Sequence, residues 1–301
     1  MSAAIDTQAP MLSATSRDGR KTRSARERPS ALATLILLLG AIYCLIPVIW
    51  VVMAASKNRA ELFSTFTYAP STHLFSNILD LFAYRDGLFW HWVLNTALYA
   101  GVGAALSTMV SAMAGYAMAK YRFPGRTALF NILLAGVLVP GVILAVPQYL
   151  LFAKLGLTNT YWSVLLPSII SPYGIYLARI YVSAAVPDEV IEAARTDGAR
   201  DGRVFRSIVV PMMLPGLVTI FLFQFVAIWN NYMLPYVMLG DDRLFPVTVG
   251  LSSLLNQGAQ APAMYALVIT GALLSILPLL ALFLLLQRFW QVDLAAGAVK
   301  S

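Results

Sequence analysis

Residues 87–119 read GLFWHWVLNTALYAGVGAALSTMVSAMAGYAMA, a stretch without Lys, Arg, Asp or Glu. A helix crosses the hydrocarbon core of a bilayer with about 20 mainly apolar residues, so this stretch is long enough to span. Five more charge-free runs flank it: 29–56, 127–153, 155–178, 207–240 and 244–287. A shorter run, 62–79, carries Ser64, Thr65, Thr67, Pro70, Ser71, Thr72, His73, Ser76 and Asn77 and is too polar to span. The last long run exceeds one helix. Its first part, 244–262, holds Pro246, Gly250, Ser252, Ser253, Asn256, Gln257, Gly258 and Gln260, which predicts an external loop and a helix starting near Ala263. The predicted architecture is all-α and polytopic. Its six spans are 31–55, 91–119, 127–150, 158–180, 209–239 and 263–287, within a membrane-embedded body, 31–288, between tails 1–30 and 289–301.

Composition supports a membrane chain. Of 301 residues, 59% are hydrophobic and 12% charged, with a mean hydropathy of +0.73. A soluble domain carries roughly 25% charged residues. Disordered, collagenous and disulfide-rich classes are excluded by the same figures, and the only cysteine is Cys44. The net charge of +7 would suit a nucleic-acid partner, but its placement argues otherwise. Sixteen of the 21 Lys and Arg fall on the side of both termini: the N-terminal tail, the turn Lys120–Arg126, the segment Arg179–Arg206 and the C-terminal tail. By the positive-inside rule that side is cytoplasmic, and no nucleic-acid role is expected. Residues 1–30, rich in Ser, Thr, Ala and Arg, are expected to be a disordered tail before an uncleaved signal-anchor helix.

Apart from Arg179 at the very end of 158–180, no predicted span contains Lys, Arg, Asp or Glu. Intramembrane charges cost about 2.5–3.5 kcal/mol at a helix centre and mark proton or ion pathways, so an ion-coupled secondary carrier is the weaker alternative. No Gly-Lys dipeptide occurs, so a phosphate-cradling loop is missing from the sequence. His73 and His91 lack ligand-spaced neighbours; no metal, cofactor or catalytic residue is expected. Pro47, Pro140, Pro147, Pro167, Pro172, Pro215, Pro235 and Pro278 fall within or beside every span except the second. They predict kinks that leave room for a solute. The second span carries Gly101, Ala105, Gly115 and Ala119 at close-packing spacing. On the fifth span, Gln224, Asn230, Asn231 and Tyr232 are the candidate polar groups of a translocation path.

The segment 181–208 is too long and too charged for a simple helix connection of roughly 2–8 residues. It reads as a short helix, a break and a second helix entering span five. Pro187 suits a first helical position, with Asp188 and Glu189 on the positive end of the dipole. Val190, Ala193 and Ala194 are expected on one face, Asp188, Glu192 and Arg195 on another. Gly198 suits a left-handed stop and Asp201 the next cap. This weakly apolar helix of mixed charge suits docking into a protein better than floating on lipid.

Glu192-Ala193-Ala194, then Gly198, Ile208 and Pro211, resembles the EAA loop of ABC-importer permeases. Thr196-Asp197-Gly198-Ala199 and Pro215-Gly216 extend the match. So do Asn95-Thr96, Gly115-Tyr116-Ala117, Tyr121-Arg122-Phe123-Pro124-Gly125, Gly156-Leu157-Thr158-Asn159-Thr160, Trp229-Asn230-Asn231-Tyr232 and Ala296-Gly297-Ala298-Val299-Lys300. Together they resemble the smaller six-span permease subunit of maltose-type carbohydrate importers, over roughly residues 30 to 300. The resemblance implies a type I importer fold and a sugar or similar polar solute. It also implies a bacterial inner-membrane location and a chain that is not itself an enzyme. Its implied partners are a second permease subunit, two cytosolic ATPases, an extracytoplasmic solute-binding protein and membrane lipid. It further implies that Glu192, Ala193, Ala194, Asp197, Gly198, Ile208 and Pro211 form the element that couples to the ATPase. Arg200 stands where that family commonly has a capping Ser or Thr, and Val210 where it commonly has Leu.

Overall fold

The computed structural model describes residues 31–258 and 264–289. The tail 1–30, all but Phe289 of the tail 289–301, and the end of the predicted loop 244–262 lie outside the described residues. The chain divides into two units, Met1–Ile46 and Pro47–Ser301. In the first, residues 31–46 are helical with every side chain exposed, as suits an apolar helix surrounded by lipid.

Fifteen α-helical segments follow one another among the described residues, and no strand does. Helix α1 is Ala31–Ala55. Two short helices, α2 (Arg59–Ser64) and α3 (Leu74–Ala83), lead to α4 (Leu88–Lys120). Then come α5 (Arg126–Leu138), α6 (Gly141–Lys154), α7 (Tyr161–Ile169) and α8 (Pro172–Ala185). After α9 (Asp188–Thr196), α10 (Asp201–Val204) runs through a π-helical turn, Phe205–Val209, into α11 (Val210–Met212). The chain continues as α12 (Leu214–Trp229), α13 (Met233–Met238), α14 (Val247–Gly258) and α15 (Met264–Leu286). Four helices are long and apolar enough to cross a bilayer: α1, α4, Tyr161–Ala185 taken together, and α15. Two bent pairs bring the number to as many as six among the described residues.

Two of the predicted spans are sharply bent. A straight helix over 127–150 does not form: α5 and α6 meet at 104°. Val139, next to Pro140, is extended (ψ 118°), as the proline ring demands of the preceding residue. Nor does one helix cover 209–239. Asp201–Met212 and Leu214–Trp229 meet at 81°, and the chain breaks again at Asn230 before α13. Pro211 has no N–H to give Ser207. The helix widens there, with the Val210 N–H reaching the Phe205 carbonyl five residues back. The predicted external loop over 244–262 is corrected. Residues 247–258 are helical, because Val247, Leu251 and Leu254 lie on one face and bury it against Phe89 and Trp92. Turn-type composition lost to apolar spacing.

Helix α4 is the spine. Its 33 residues run about 50 Å at 1.5 Å per residue. Three apolar clusters sit along it: Phe89 and Trp92 with α14, Tyr99 and Ala104 with α7 and Trp229, and Tyr116 with α8 and the 191–209 segment. Close approach is set by Gly115. A β-carbon there would lie 2.5 Å from Ala178 Cβ and 2.7 Å from the Arg179 nitrogen. Only glycine lets α4 and α8 touch backbone to backbone. Ser107 and Ser111, fully buried on the same helix, have hydroxyls without a hydrogen-bond partner among the described residues.

Candidate functional site: a docking helix and a polar cavity

Two places gather the sequence-predicted residues. The first is α9. Its buried contact is Ile191, 3% exposed, which packs with Val182, Val186, Val204 and Val209. Ala194 and Ile208 pack against the same cluster. Val190 and Ala193 face outward with Glu192, Asp197 and Gly198. The expected face Val190–Ala193–Ala194 is therefore corrected: Ile191 carries the burial, and the other two apolar side chains are left on the surface. Pro211 is exposed at the bend rather than on this face.

Three contacts fix the pose. Lys120 Nζ, at the end of α4, donates to the Val186 carbonyl at 2.6 Å and to Asp188 Oδ1 at 2.5 Å. Gly198 ends the helix with φ +81°, and Ala199 N–H returns to the Ala194 carbonyl at 2.9 Å. Arg195 Nη2 donates to Asp201 Oδ1 at 3.0 Å and lies over the Tyr121 ring. Asp201 is thus engaged by Arg195, and α10 has no side-chain cap; Arg200 occupies its N-cap position. Pro187 likewise sits at the N-cap of α9, one position before the helix.

The hydrogen bond from Lys120, then its charge, hold the Asp188 carboxyl below the usual carboxylate range. A lowered acid pKa gives a contribution that is complete above the ordinary carboxylate range and is lost only as pH falls through the lowered value. The transport that the resemblance implies is therefore expected to be level between about pH 6 and 8 as far as this contact is concerned. Uptake measured across that range with cytoplasmic pH clamped checks it; a decline towards pH 6 that the Asp188→Asn variant lacks would contradict it.

The second place is a cavity of about 400 Å³ bounded by α6, the α7–α8 break and the end of α12. Gln148, Ser168, Ser171, Gln224 and Asn231 supply its polar lining. Gln224 Nε2 donates to Ser171 Oγ at 2.7 Å, and Ser171 Oγ also accepts the Gly174 N–H that starts α8. Of the four predicted path residues, Gln224 and Asn231 line this cavity. Asn230 turns back to the Val226 carbonyl at 2.9 Å. Tyr232 stacks on Tyr236 and accepts from Ser252 Oγ at 3.2 Å, outside the lining. Gln148 and Ser171 were missed. Their signal was position: each lies next to a proline, Pro147 or Pro172, in an apolar run.

Among the described residues no cluster of His, Cys, Asp and Glu could hold a metal. Neither place holds a nucleophile beside a base. What the pair of sites offers is non-covalent: an outward helix fastened to the spine, and a hydroxyl- and amide-lined chamber where the spans are broken.

Residues 108–291 match the family described as binding-protein-dependent transport system inner membrane component. The chain is 32% identical over 282 residues to the arabinooligosaccharides transport system permease protein AraQ of Halalkalibacterium halodurans, covering 91% of this chain and 99% of that protein. It is 32% identical over 280 residues to the lactose transport system permease protein LacG of Rhizobium radiobacter, covering 93% and 99%. A chain in the crystal structure of a bacterial ABC transporter involved in the import of the acidic polysaccharide alginate has the same fold. Its TM-score is 0.74 at 24% identity, covering 85% of this chain and 94% of that one.

Proposed function

We propose, from the premise that this chain belongs to the binding-protein-dependent transport inner-membrane components, that it is the membrane-spanning permease subunit of an ATP-driven importer for sugars or similar polar solutes. The relatives AraQ and LacG, matched along nearly their whole length, support that substrate class. The chain is a transport subunit and not an enzyme; ATP is hydrolysed in a partner chain. A solute-binding protein, a second permease subunit and two cytosolic ATPases are its expected partners, and both termini are expected in the cytoplasm.

The observation that carries the mechanism is α9: a helix plugged into its own subunit by Ile191 and pinned by Lys120, with Val190, Glu192, Ala193 and Asp197 left outward. ATP-driven closure of the motor would press on that face. Its movement would pass through Lys120 and the Tyr116 cluster into α4 and α8, a rigid-body switch between two openings. The chamber around Gln224 and Asn231 would offer hydroxyl-pairing groups to the passing solute.

The test is reconstitution. Vesicles holding this chain with its neighbouring permease, ATPase and binding protein are expected to accumulate labelled oligosaccharide only with ATP. Vesicles holding this chain alone are expected to accumulate none. Uptake by the chain alone, driven by an ion gradient, would overturn the reading in favour of a secondary carrier.

A further inference from the structure

The ends of α1, α2 and α15 enclose a cavity of about 440 Å³ that shares no residue with the chamber around Gln224. Trp50, Lys57, Phe63, Thr67, Tyr265 and Ile269 line it. Lys57 is unusual for its setting. It is 2% exposed, among the largest fully buried side chains of the chain. Its backbone is fixed by Asn77, whose Nδ2 donates to the Lys57 carbonyl at 2.9 Å and to that of Ala55 at 2.8 Å. Its ammonium donates to the carbonyls of Phe66 at 2.6 Å and Thr67 at 3.3 Å. An ammonium has three protons, so one donor remains.

No described carboxylate lies within 4.0 Å of it. The nearest acid in sequence, Glu61, is taken by the Asn58 N–H, Ser71 and His73. A buried charge without a counter-ion is costly, and two neutral carbonyls only partly offset that cost. The cavity therefore supplies what an anion needs: a fixed positive group with a free donor, and space beside it.

The walls say what the anion is attached to. Trp50 and Tyr265 are of the type that settles at the headgroup level of a bilayer. Along α1 from the cavity, Ile49 and Val52 are exposed aliphatic side chains. Phe63 meets Tyr265 edge to face, with centroids 5.9 Å apart, which closes one side with aromatic carbon. A free inorganic anion would gain nothing from these surfaces, whereas a lipid would lay its chains along them.

We propose that this cavity binds one anionic phospholipid, its phosphate on Lys57 and its acyl chains along α1. The intact transporter, purified in neutral detergent and stripped of lipid, is titrated with phosphatidylglycerol, phosphatidylcholine or inorganic phosphate and read by native mass spectrometry. One phosphatidylglycerol is expected to be held about tenfold more tightly than phosphatidylcholine, as a charge-assisted contact allows. Lys57→Gln is expected to remove that preference. Ile269→Trp fills the cavity from α15 and leaves the Lys57–Phe66 bond alone, so it is expected to remove binding even if Lys57→Gln fails to assemble. Equal retention by the Ile269→Trp and unaltered proteins would overturn the proposal. So would displacement of the lipid by inorganic phosphate, or failure of the assembled complex to hold any phosphatidylglycerol because a partner subunit fills the cavity.

Discussion

Ala193→Trp is expected to cut ATP-driven uptake by more than about tenfold while the protein reaches the membrane in normal amount. Ala193 is exposed on α9, so an indole there extends from the surface rather than into the subunit's packed interior. Against a partner fitted to that surface it is an overpacking of about 1–3 kcal/mol, and about 1.4 kcal/mol is tenfold in a binding constant. Ala193→Ser, which adds one hydroxyl, is expected to be mild. The measurement is labelled-sugar uptake beside ATPase activity of the whole complex. Normal uptake with Trp at 193 would remove α9 from the coupling path. Gly198 is a poorer probe, since φ +81° strains any larger residue and mixes a folding defect with a docking one.

The second large effect concerns the spine. Gly115→Val is expected to lower the thermal stability of the purified subunit sharply and to reduce its yield from the membrane. The new β-carbon would fall 2.5 Å from Ala178 Cβ, and backbone atoms of Ala178 and Arg179 lie within 2.8 Å, so no rotamer relieves the overlap. Overpacking of a tight core costs typically about 1–3 kcal/mol, and here two main chains must separate. Ala178→Gly should restore only part of the loss, because it removes the methyl and leaves the backbone clash. Gly101→Val on the same helix, with nothing within 4 Å of its added carbon, is the control and should be tolerated. If the two variants melt alike, the α4–α8 contact is not as close as described.

Much of the fold was readable because lipid imposes a simple rule. Charge-free runs long enough to span are conspicuous, and the run 87–119 sits almost wholly inside α4. What could not be read was the geometry inside a run. Pro140 and Pro215 signalled irregularity, but a sequence gives no angle, and 104° and 81° turn two apparent spans into bent pairs. The segment 247–258 misled because Gly250 and Ser252 look like turn residues. In place, Gly250 is small so that the Trp92 ring can lie against it; an added β-carbon would overlap that ring. On α9 the periodicity was right and the phase wrong by one residue. Ile191 was passed over, and with it the distinction between the side that anchors and the side left free. Lys120 was counted only as a topogenic charge. Its hold on Val186 and Asp188 needs the chain to return 66 and 68 residues later, which no local pattern reveals.

The two sides of α9 obey different physics. Its grip on its own subunit combines Ile191 among valines with the Lys120–Asp188 and Arg195–Asp201 ion pairs, whereas its outward surface carries Glu189, Glu192 and Asp197 beside Val190 and Ala193. At molar ionic strength the Debye length shrinks to about 3 Å, which weakens attraction between exposed charges and leaves a dry hydrocarbon plug untouched. Concentrated electrolyte therefore loosens the outer side and the two ion pairs together, and what keeps the handle in its socket is the hydrocarbon around Ile191.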